Sequence, residues 1–305
     1  MDTKLKRILV TGGAGFIGSN LVDKLIENDH NVIIIDNIST GKEENLNPRA
    51  EFHKLDIRNL EDIEPLFKGI DIVFHLAAQP RIQPSIIDPV NSHSNNVVGT
   101  LNVLQASRAA GVKKLIYSAS SSAYGDTKKL PLKEDMPTHP KSPYSLFKLI
   151  GEYYCRLFNE LYGLPTVCLR YFNVYGPRQT YEGAYATVIG IFLRQAKAGE
   201  PLTIVGDGTQ TRDFTNVQDV VRANILAMNS TKVGKGEIIN IGSGKTYSVN
   251  QIASLISDNV VYIPPRPGEV RDTLADNRLA KKLLRWQPEV DMGEGVKELK
   301  KLFHV

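Results

Sequence analysis

A phenol and an ammonium four residues apart share one helical face, and Tyr144 and Lys148 stand at that spacing. A lysine beside a tyrosine favours the phenolate and draws its pKa towards neutrality, which makes Tyr144 a candidate general base. The spacing alone is not distinctive, because Tyr124 and Lys128 repeat it. Ser142-Pro143 offers an N-cap and a first-turn proline ahead of a helical pattern reaching Phe158, so the Tyr144 pair is placed on a helix. Tyr124 instead runs into Gly125-Asp126-Thr127, a turn-rich stretch, and its pair is read as a decoy. Ser120 lies at the C-terminal end of an apolar strand pattern, where ligands of parallel sheets bind. Its hydroxyl is a candidate to share a hydrogen bond with the oxygen being deprotonated.

A second chemical signature sits near the start of the chain. Gly13-Ala14-Gly15-Phe16-Ile17-Gly18 fits G-x-G-x-x-G, after a strand pattern at residues 7–11 and opening a helical pattern over 16–28. Glycines there let the backbone turn tightly and approach a pyrophosphate, while the helix N-terminus offers free N–H groups. Asp36 ends the next strand pattern, where a carboxylate grips the adenosine ribose 2′-hydroxyl. An acid at that place repels a 2′-phosphate, so NAD is expected rather than NADP; Lys42 is the nearby cation that would soften the repulsion.

The elements that must position these groups follow from the apolar rhythm. Uniformly apolar runs at 7–11, 31–35, 51–55, 70–74, 114–118 and 165–170 read as strands buried on both faces, separated by helical periods. Strand–helix–strand repetition predicts parallel crossovers, hence an α/β, doubly wound (Rossmann) sheet over residues 1–175. After Gly176-Pro177 the pattern changes to a helix near 187–197 and short strands near 202–205 and 237–241, broken by turns. A smaller mixed C-terminal domain over 176–305, closing on the sheet, is expected, with a return to the large sheet around 213–242.

Composition excludes several classes. With 42% hydrophobic and 23% charged residues the chain is neither disordered nor fibrous. No apolar stretch is long enough to span a membrane, and the charged N-terminus runs straight into a strand, so neither a membrane role nor a signal peptide is expected. Two cysteines, Cys155 and Cys168, are expected as free buried thiols, and six scattered histidines give no zinc spacing. A net charge of +4 with basic residues dispersed does not imply nucleic acid. A cytoplasmic enzyme with a small anionic ligand is the expectation.

Taken in order, a longer set of motifs carries a resemblance. They are Thr11-Gly12-Gly13-Ala14-Gly15-Phe16-Ile17-Gly18, Asp36-Asn37, Asp56-Ile57-Arg58, His75-Leu76-Ala77-Ala78 and Asn95-Asn96-Val97-Val98-Gly99-Thr100. Ser118-Ala119-Ser120-Ser121-Ser122-Ala123-Tyr124-Gly125, the Tyr144/Lys148 pair and Arg170-Tyr171-Phe172-Asn173-Val174-Tyr175-Gly176-Pro177 complete it. Over nearly its whole length the chain resembles the extended short-chain dehydrogenase/reductases, and among them the UDP-hexose 4-epimerases, including those acting on N-acetylated sugars. The resemblance implies an NAD site at Gly12, Gly15, Phe16, Ile17, Gly18, Asp36 and Asn37, with Asp56 and Ile57 holding the adenine. It places Leu76, Ala77, Ala78, Asn95, Tyr144, Lys148 and Tyr171 along the cofactor. Ser120, Ser122 and Asn173 would meet the sugar nucleotide; Leu202, Thr203, Arg212, Arg266 and Glu269 match positions that bind uridine and diphosphate. Guanidinium forks at Arg212 and Arg266 suit phosphate oxygens.

The chemistry so implied is transient oxidation at C4 of a UDP-hexose, in which Tyr144 takes the 4-hydroxyl proton and a 4-keto sugar turns over before reduction on its other face. Related 4,6-dehydratases carry Asp-Glu at the positions of Ser121 and Ser122, and glucuronate decarboxylases carry Glu at that of Ser122; two hydroxyls here disfavour both. A UDP-uronate 4-epimerase, with Arg81 or Arg178 meeting the carboxylate, is the alternative, and a nucleotide-sensing regulator without catalysis is the alternative from another class. The resemblance further implies a homodimer paired through helices near 90–110 and 144–162. It also puts Thr273 beside the sugar's 2-substituent, where a small side chain leaves room for an N-acetyl group.

Overall fold

The computed structural model describes residues 5–183, 186–264 and 270–305. The first half alternates β1 (Arg7–Thr11), α1 (Phe16–Glu27), β2 (Asn31–Ile35), β3 (Glu51–His53), α2 (Leu60–Ile63) and β4 (Ile72–His75). It continues through α3 (Ile82–Ile87), α4 (Pro89–His93), α5 (Gly99–Ala109), β5 (Lys114–Ser120), α6 (Pro143–Tyr162) and β6 (Thr166–Tyr171). Every residue of β4 and β6 is buried, because helices cover both faces of the sheet. In β1, Ile8 and Val10 enter one core and Leu9 the other, as the two-residue period of a strand requires.

The second half adds β7 (Val174–Tyr175), α7 (Val188–Lys197), β8 (Leu202–Val205), β9 (Thr211–Arg212), β10 (Thr215–Asn216) and α8 (Val217–Asn229). Then come β11 (Lys235–Ile241), β12 (Tyr247–Ser248), α9 (Val249–Ser254), β13 (Val260–Ile263), α10 (Arg278–Leu284) and α11 (Met292–Phe303). The large sheet is seven-stranded and parallel, in the order β11-β6-β5-β4-β1-β2-β3. Its direction reverses at β1/β4, the switch point at which doubly wound sheets open a ligand crevice. The chain re-enters this body with β11 beside β6, and α8 packs Val220, Val221 and Ala223 into the same core as Leu21 and Val22 of α1. Ile189, Phe192, Leu193, Ile252, Val296 and Leu299 close a separate, smaller core.

Several boundaries depart from the pattern. The third strand stops at His53 rather than Leu55, because Leu55 N–H turns back to the His53 carbonyl. The fourth starts at Ile72, since Asp71 instead binds Arg7 N–H and Lys113, and it runs on to His75. The fifth continues to Ser120 by pairing with Tyr171. The helical stretch near residues 90–110 runs without a break but changes winding: a π segment at Ser94–Val98 joins α4 to α5. Cys155 and Cys168 are free and buried, and burial beside Cys155 pushes the Cys168 thiol up. No helix among the described residues is long and apolar enough to cross a membrane.

Candidate active site

A cleft of about 570 Å³ opens at the C-terminal ends of the sheet strands and is closed on its far side by α7, β8 and β9. At one end lies the glycine turn. Gly12 has φ +76°, and a Cβ there would stand 2.6 Å from the Ala77 amide nitrogen, so the turn abuts the exit of β4. A Cβ on Gly18 would collide with the Gly12 carbonyl oxygen, so only glycine lets α1 start against the turn. The N-cap of α1 is Gly15, with no side-chain cap, which leaves first-turn amides available to a ligand.

Asp36 braces this turn. Its carboxylate accepts from Ala14 N (3.0 Å) and Ile38 N (2.8 Å); burial raises its pKa and those two bonds pull it back. Gly12, Gly15, Phe16, Ile17, Gly18, Asp36, Asn37, Ile57, Leu76, Ala77, Ala78, Asn95 and Tyr171 all line the cleft. Asp56 does not. Arg58 holds it at 2.9 and 2.6 Å, Asn37 donates to it at 3.0 Å, and the Arg58 guanidinium takes its pKa down to about 2. Lys42 is turned to Glu44 at 3.1 Å and lies over the Tyr181 ring. A cradle that side chains would fill, free helix amides and a buried acceptor fit the dinucleotide NAD: Gly12, Gly15 and Gly18 would hold its pyrophosphate and Asp36 its ribose.

The chemical end of the cleft is built by α6 and β5. Ser142 caps α6 by accepting from Ser145 N at 3.2 Å, and Pro143 follows in the first turn. Tyr144 is half-buried; burial raises its pKa, while Arg81 and a hydrogen bond with Ser120 oppose the rise. Ser120 Oγ also lies 2.9 Å from Ser122 Oγ, and both line the cleft with Lys148. Lys148 differs from expectation. Its ammonium donates to the Ser118 carbonyl at 2.7 Å, and burial lowers its pKa to about 8 despite the Glu152 carboxylate. Arg81, rather than the lysine, is the cation that draws the Tyr144 pKa down, since the Lys148 ammonium is held at the strand end. Tyr124, the decoy, is buried on a short 3₁₀ turn and donates to Asn240 Oδ1 at 2.7 Å.

Toward the cap, Asn173 donates to the Asp213 carbonyl (2.9 Å) and to Thr273 Oγ1 (3.2 Å), which also accepts from Asp213 N (3.1 Å). Asn173, Thr203, Arg212 and Thr273 line the cleft. Arg212 donates to the carbonyls of Thr211 and Arg271, and Gln195 Nε2 donates to Thr203 Oγ1 at 3.0 Å. Leu202 is fully buried in the cap core and does not line the cleft, since strand alternation turns Thr203 there instead. Arg178 is drawn to Asp23 at 2.6 Å, outside the cleft. Arg266 and Glu269 lie outside the described residues. Glu152 belongs to no motif in the sequence, yet it is buried one turn after Lys148 and forked by Arg170 at 2.8 and 2.6 Å. The i, i+4 spacing to the lysine was the available signal.

Comparison with known proteins agrees with this geometry. The putative UDP-glucose 4-epimerase of Methanocaldococcus jannaschii is 45% identical over 300 residues, 96% of each chain. The crystal structure of a Thermotoga maritima UDP-glucose 4-epimerase with UDP-glucose superposes with a TM-score of 0.94 at 44% identity, covering 98% of both chains. A UDP-N-acetylglucosamine 4-epimerase from Methanobrevibacter ruminantium, in complex with UDP-N-acetylmuramic acid, gives 0.92 at 39% identity, over 98% of this chain and 99% of the other. Residues 8–242, which carry the glycine turn, Asp36, Tyr144 and all of the seven-stranded sheet but Arg7, match the NAD dependent epimerase/dehydratase family, and the chain belongs to it.

Proposed function

We propose that this chain is a UDP-sugar 4-epimerase, an isomerase working with tightly bound NAD, and that it interconverts UDP-glucose with UDP-galactose and UDP-N-acetylglucosamine with UDP-N-acetylgalactosamine. The observation that carries the reading is the Tyr144 phenol, hydrogen-bonded to Ser120 in the same cleft as the glycine turn. Bound NAD supplies the acceptor and donor of hydride. Tyr144 takes the proton of the sugar 4-hydroxyl, with Ser120 sharing that oxygen, and returns it after the 4-keto sugar has presented its other face. Ser121 and Ser122, also in the cleft, offer hydroxyls and no carboxylate for elimination at C5/C6. Incubation with UDP-galactose, UDP-N-acetylgalactosamine and UDP-galacturonate separately, with product analysis, tests the reading; no turnover of any of them overturns it.

The purified protein should carry NAD, and Asp36→Ala should lose most of it, because both the ribose acceptor and the brace on the turn disappear. Release of NADP on denaturation would contradict the assignment.

Thr273 supports the N-acetylated substrates. It is buried at the cleft wall and small, with its hydroxyl held by Asn173 and Asp213. Thr273→Tyr should cut kcat/KM for the acetylated pair by about 10–100-fold, since overfilling a packed site costs roughly 1–3 kcal/mol. Non-acetylated sugars should be affected less. Equal handling of both pairs by the tyrosine variant would show that Thr273 does not gate the pocket.

A homodimer through α5 and α6 belongs to the same proposal. Leu146, Tyr153, Leu157 and Leu161 of α6 are exposed, as are Val98 and Leu101 of the facing stretch. A partner covering them would complete a four-helix bundle. Light scattering at micromolar concentration should give twice the chain mass, and a monomeric mass would refute the dimer.

A further inference from the structure

A carboxylate lies wholly inside the protein behind the cap end of the cleft. Asp213 is fully buried, and alternation along the extended chain turns its neighbours Arg212 and Phe214 to the cleft and Asp213 away from it. A buried charge persists only where hydrogen bonds replace its water, and four neutral donors do so here. Ser243 N (2.6 Å) and Ser243 Oγ (2.7 Å) donate to Oδ1, while Gly244 N (3.0 Å) and Ala275 N (2.9 Å) donate to Oδ2. Burial raises the pKa of this acid, and the four donors oppose the rise.

The turn that supplies three of those donors is shaped for the task. Gly244 has φ +69°, in the left-handed region that favours glycine, and a Cβ on Gly242 would stand 2.8 Å from Asp213 Oδ2. Gly242-Ser243-Gly244 is a concave stretch of backbone wrapped round one internal carboxylate. What the carboxylate anchors is the wall of the cleft. The Asp213 N–H donates to Thr273 Oγ1 at 3.1 Å, and its carbonyl accepts from Asn173 Nδ2 at 2.9 Å. Asn173 stands 40 positions before Asp213 and Thr273 60 after it, yet both line the cleft with Arg212. Three distant segments thus meet at one side chain that never reaches the cavity.

We propose that Asp213 is a positioning residue for the sugar nucleotide: held by the Gly242-Ser243-Gly244 turn and Ala275, it fixes Arg212, Asn173 and Thr273 in one wall and so sets the affinity for UDP and UDP-sugars. This inference rests on the UDP-sugar reading above. Asp213 acts through those three residues and touches neither the sugar nucleotide nor NAD. The glycine turn and the Tyr144–Ser120 pair stand on β1–α1, α6 and β5, so cofactor retention and proton transfer do not depend on it.

The experiment measures Kd for UDP, KM and kcat for UDP-glucose, bound NAD and Tm in the wild type, Asp213→Asn, Ser243→Ala and Val103→Ala. Asparagine keeps the shape of the side chain but turns one acceptor oxygen into an NH₂ group, which faces N–H donors it cannot satisfy. Kd and KM should rise together by about 10–100-fold, the scale on which a displacement of about 1 Å acts, with NAD retained and a much smaller fall in kcat. Ser243→Ala deletes one donor and keeps the charge, so Kd and KM should rise about two- to tenfold, the worth of one hydrogen bond. This milder variant decides the question if Asp213→Asn does not fold. Val103→Ala, a cavity in the fully buried core under α5, controls for lost stability. Partial unfolding removes active molecules, so it lowers kcat and leaves KM and Kd where they were. Wild-type Kd in the folded Asp213 and Ser243 variants, loss of NAD from Asp213→Asn, or a pattern matching Val103→Ala would each overturn the proposal. A wild type that binds neither UDP nor UDP-glucose overturns the UDP-sugar reading and the proposal with it, and the wild-type titration alone tells that case apart.

Discussion

Tyr144→Phe is expected to lower kcat by about 10²–10⁴-fold, the range attributed to a positioned general base, while the dissociation constant for a UDP-sugar stays nearly constant. The substitution removes one oxygen, leaving Ser120 and the ring in place, so only proton transfer is lost. Tyr124→Phe is the internal control because it deletes the same atom from the second Tyr-x3-Lys copy. That hydroxyl donates to Asn240 Oδ1 at 2.7 Å in a buried site, and the phenylalanine leaves this acceptor unsatisfied. A stability loss of about 1–3 kcal/mol with turnover close to wild type is therefore expected. Steady-state kinetics and a binding titration on both variants separate the cases. Turnover by Tyr144→Phe comparable to wild type would place the base elsewhere.

Glu152→Ala should be the most destabilising single change among those considered, costing about 3–5 kcal/mol, because it strands a charge in the core. Both side chains of the Glu152–Arg170 pair are almost wholly buried, at 1% and 2% exposure. Arg170 keeps Tyr124 at 4.5 Å below its guanidinium, which does not replace a carboxylate, and its Nη1 has no hydrogen-bond partner. Lys148 would lose the carboxylate that sustains its charge against burial. Replacing both members with apolar residues, as in Glu152→Leu with Arg170→Met, removes the unpaired charge and should recover most of the loss. The shift in denaturant midpoint measures this. A single-variant loss below about 1 kcal/mol would mean that water or another acid reaches Arg170.

The fold was written in local patterns. Continuous apolar runs marked strands buried on both faces, the glycine turn announced the β1–α1 junction, and Ser142-Pro143 marked the start of the helix that carries Tyr144. These signals depend on residues near one another in the chain, so the sequence by itself determined the fold class, the NAD family and the placing of Tyr144, but not Tyr124, on a long helix. Contacts across the chain were another matter. That Asp56 is spent on Arg58, that Leu202 faces a core, and that Arg178 leaves the cleft for Asp23 depend on which way a side chain turns and what it meets. Lys148 and Arg81 make the point most clearly. Helical spacing sets Lys148 on the face of Tyr144, yet the Ser118 carbonyl at the end of β5 captures its ammonium. Arg81, 63 positions before Tyr144 and without any motif, lines the same cleft as Tyr144, and Ser85 a turn further on ties its helix to the Tyr144 N–H. Only the tertiary structure decided what each cation meets, because a charge's partner is set by distance in space and burial, and neither is recorded in spacing along the chain.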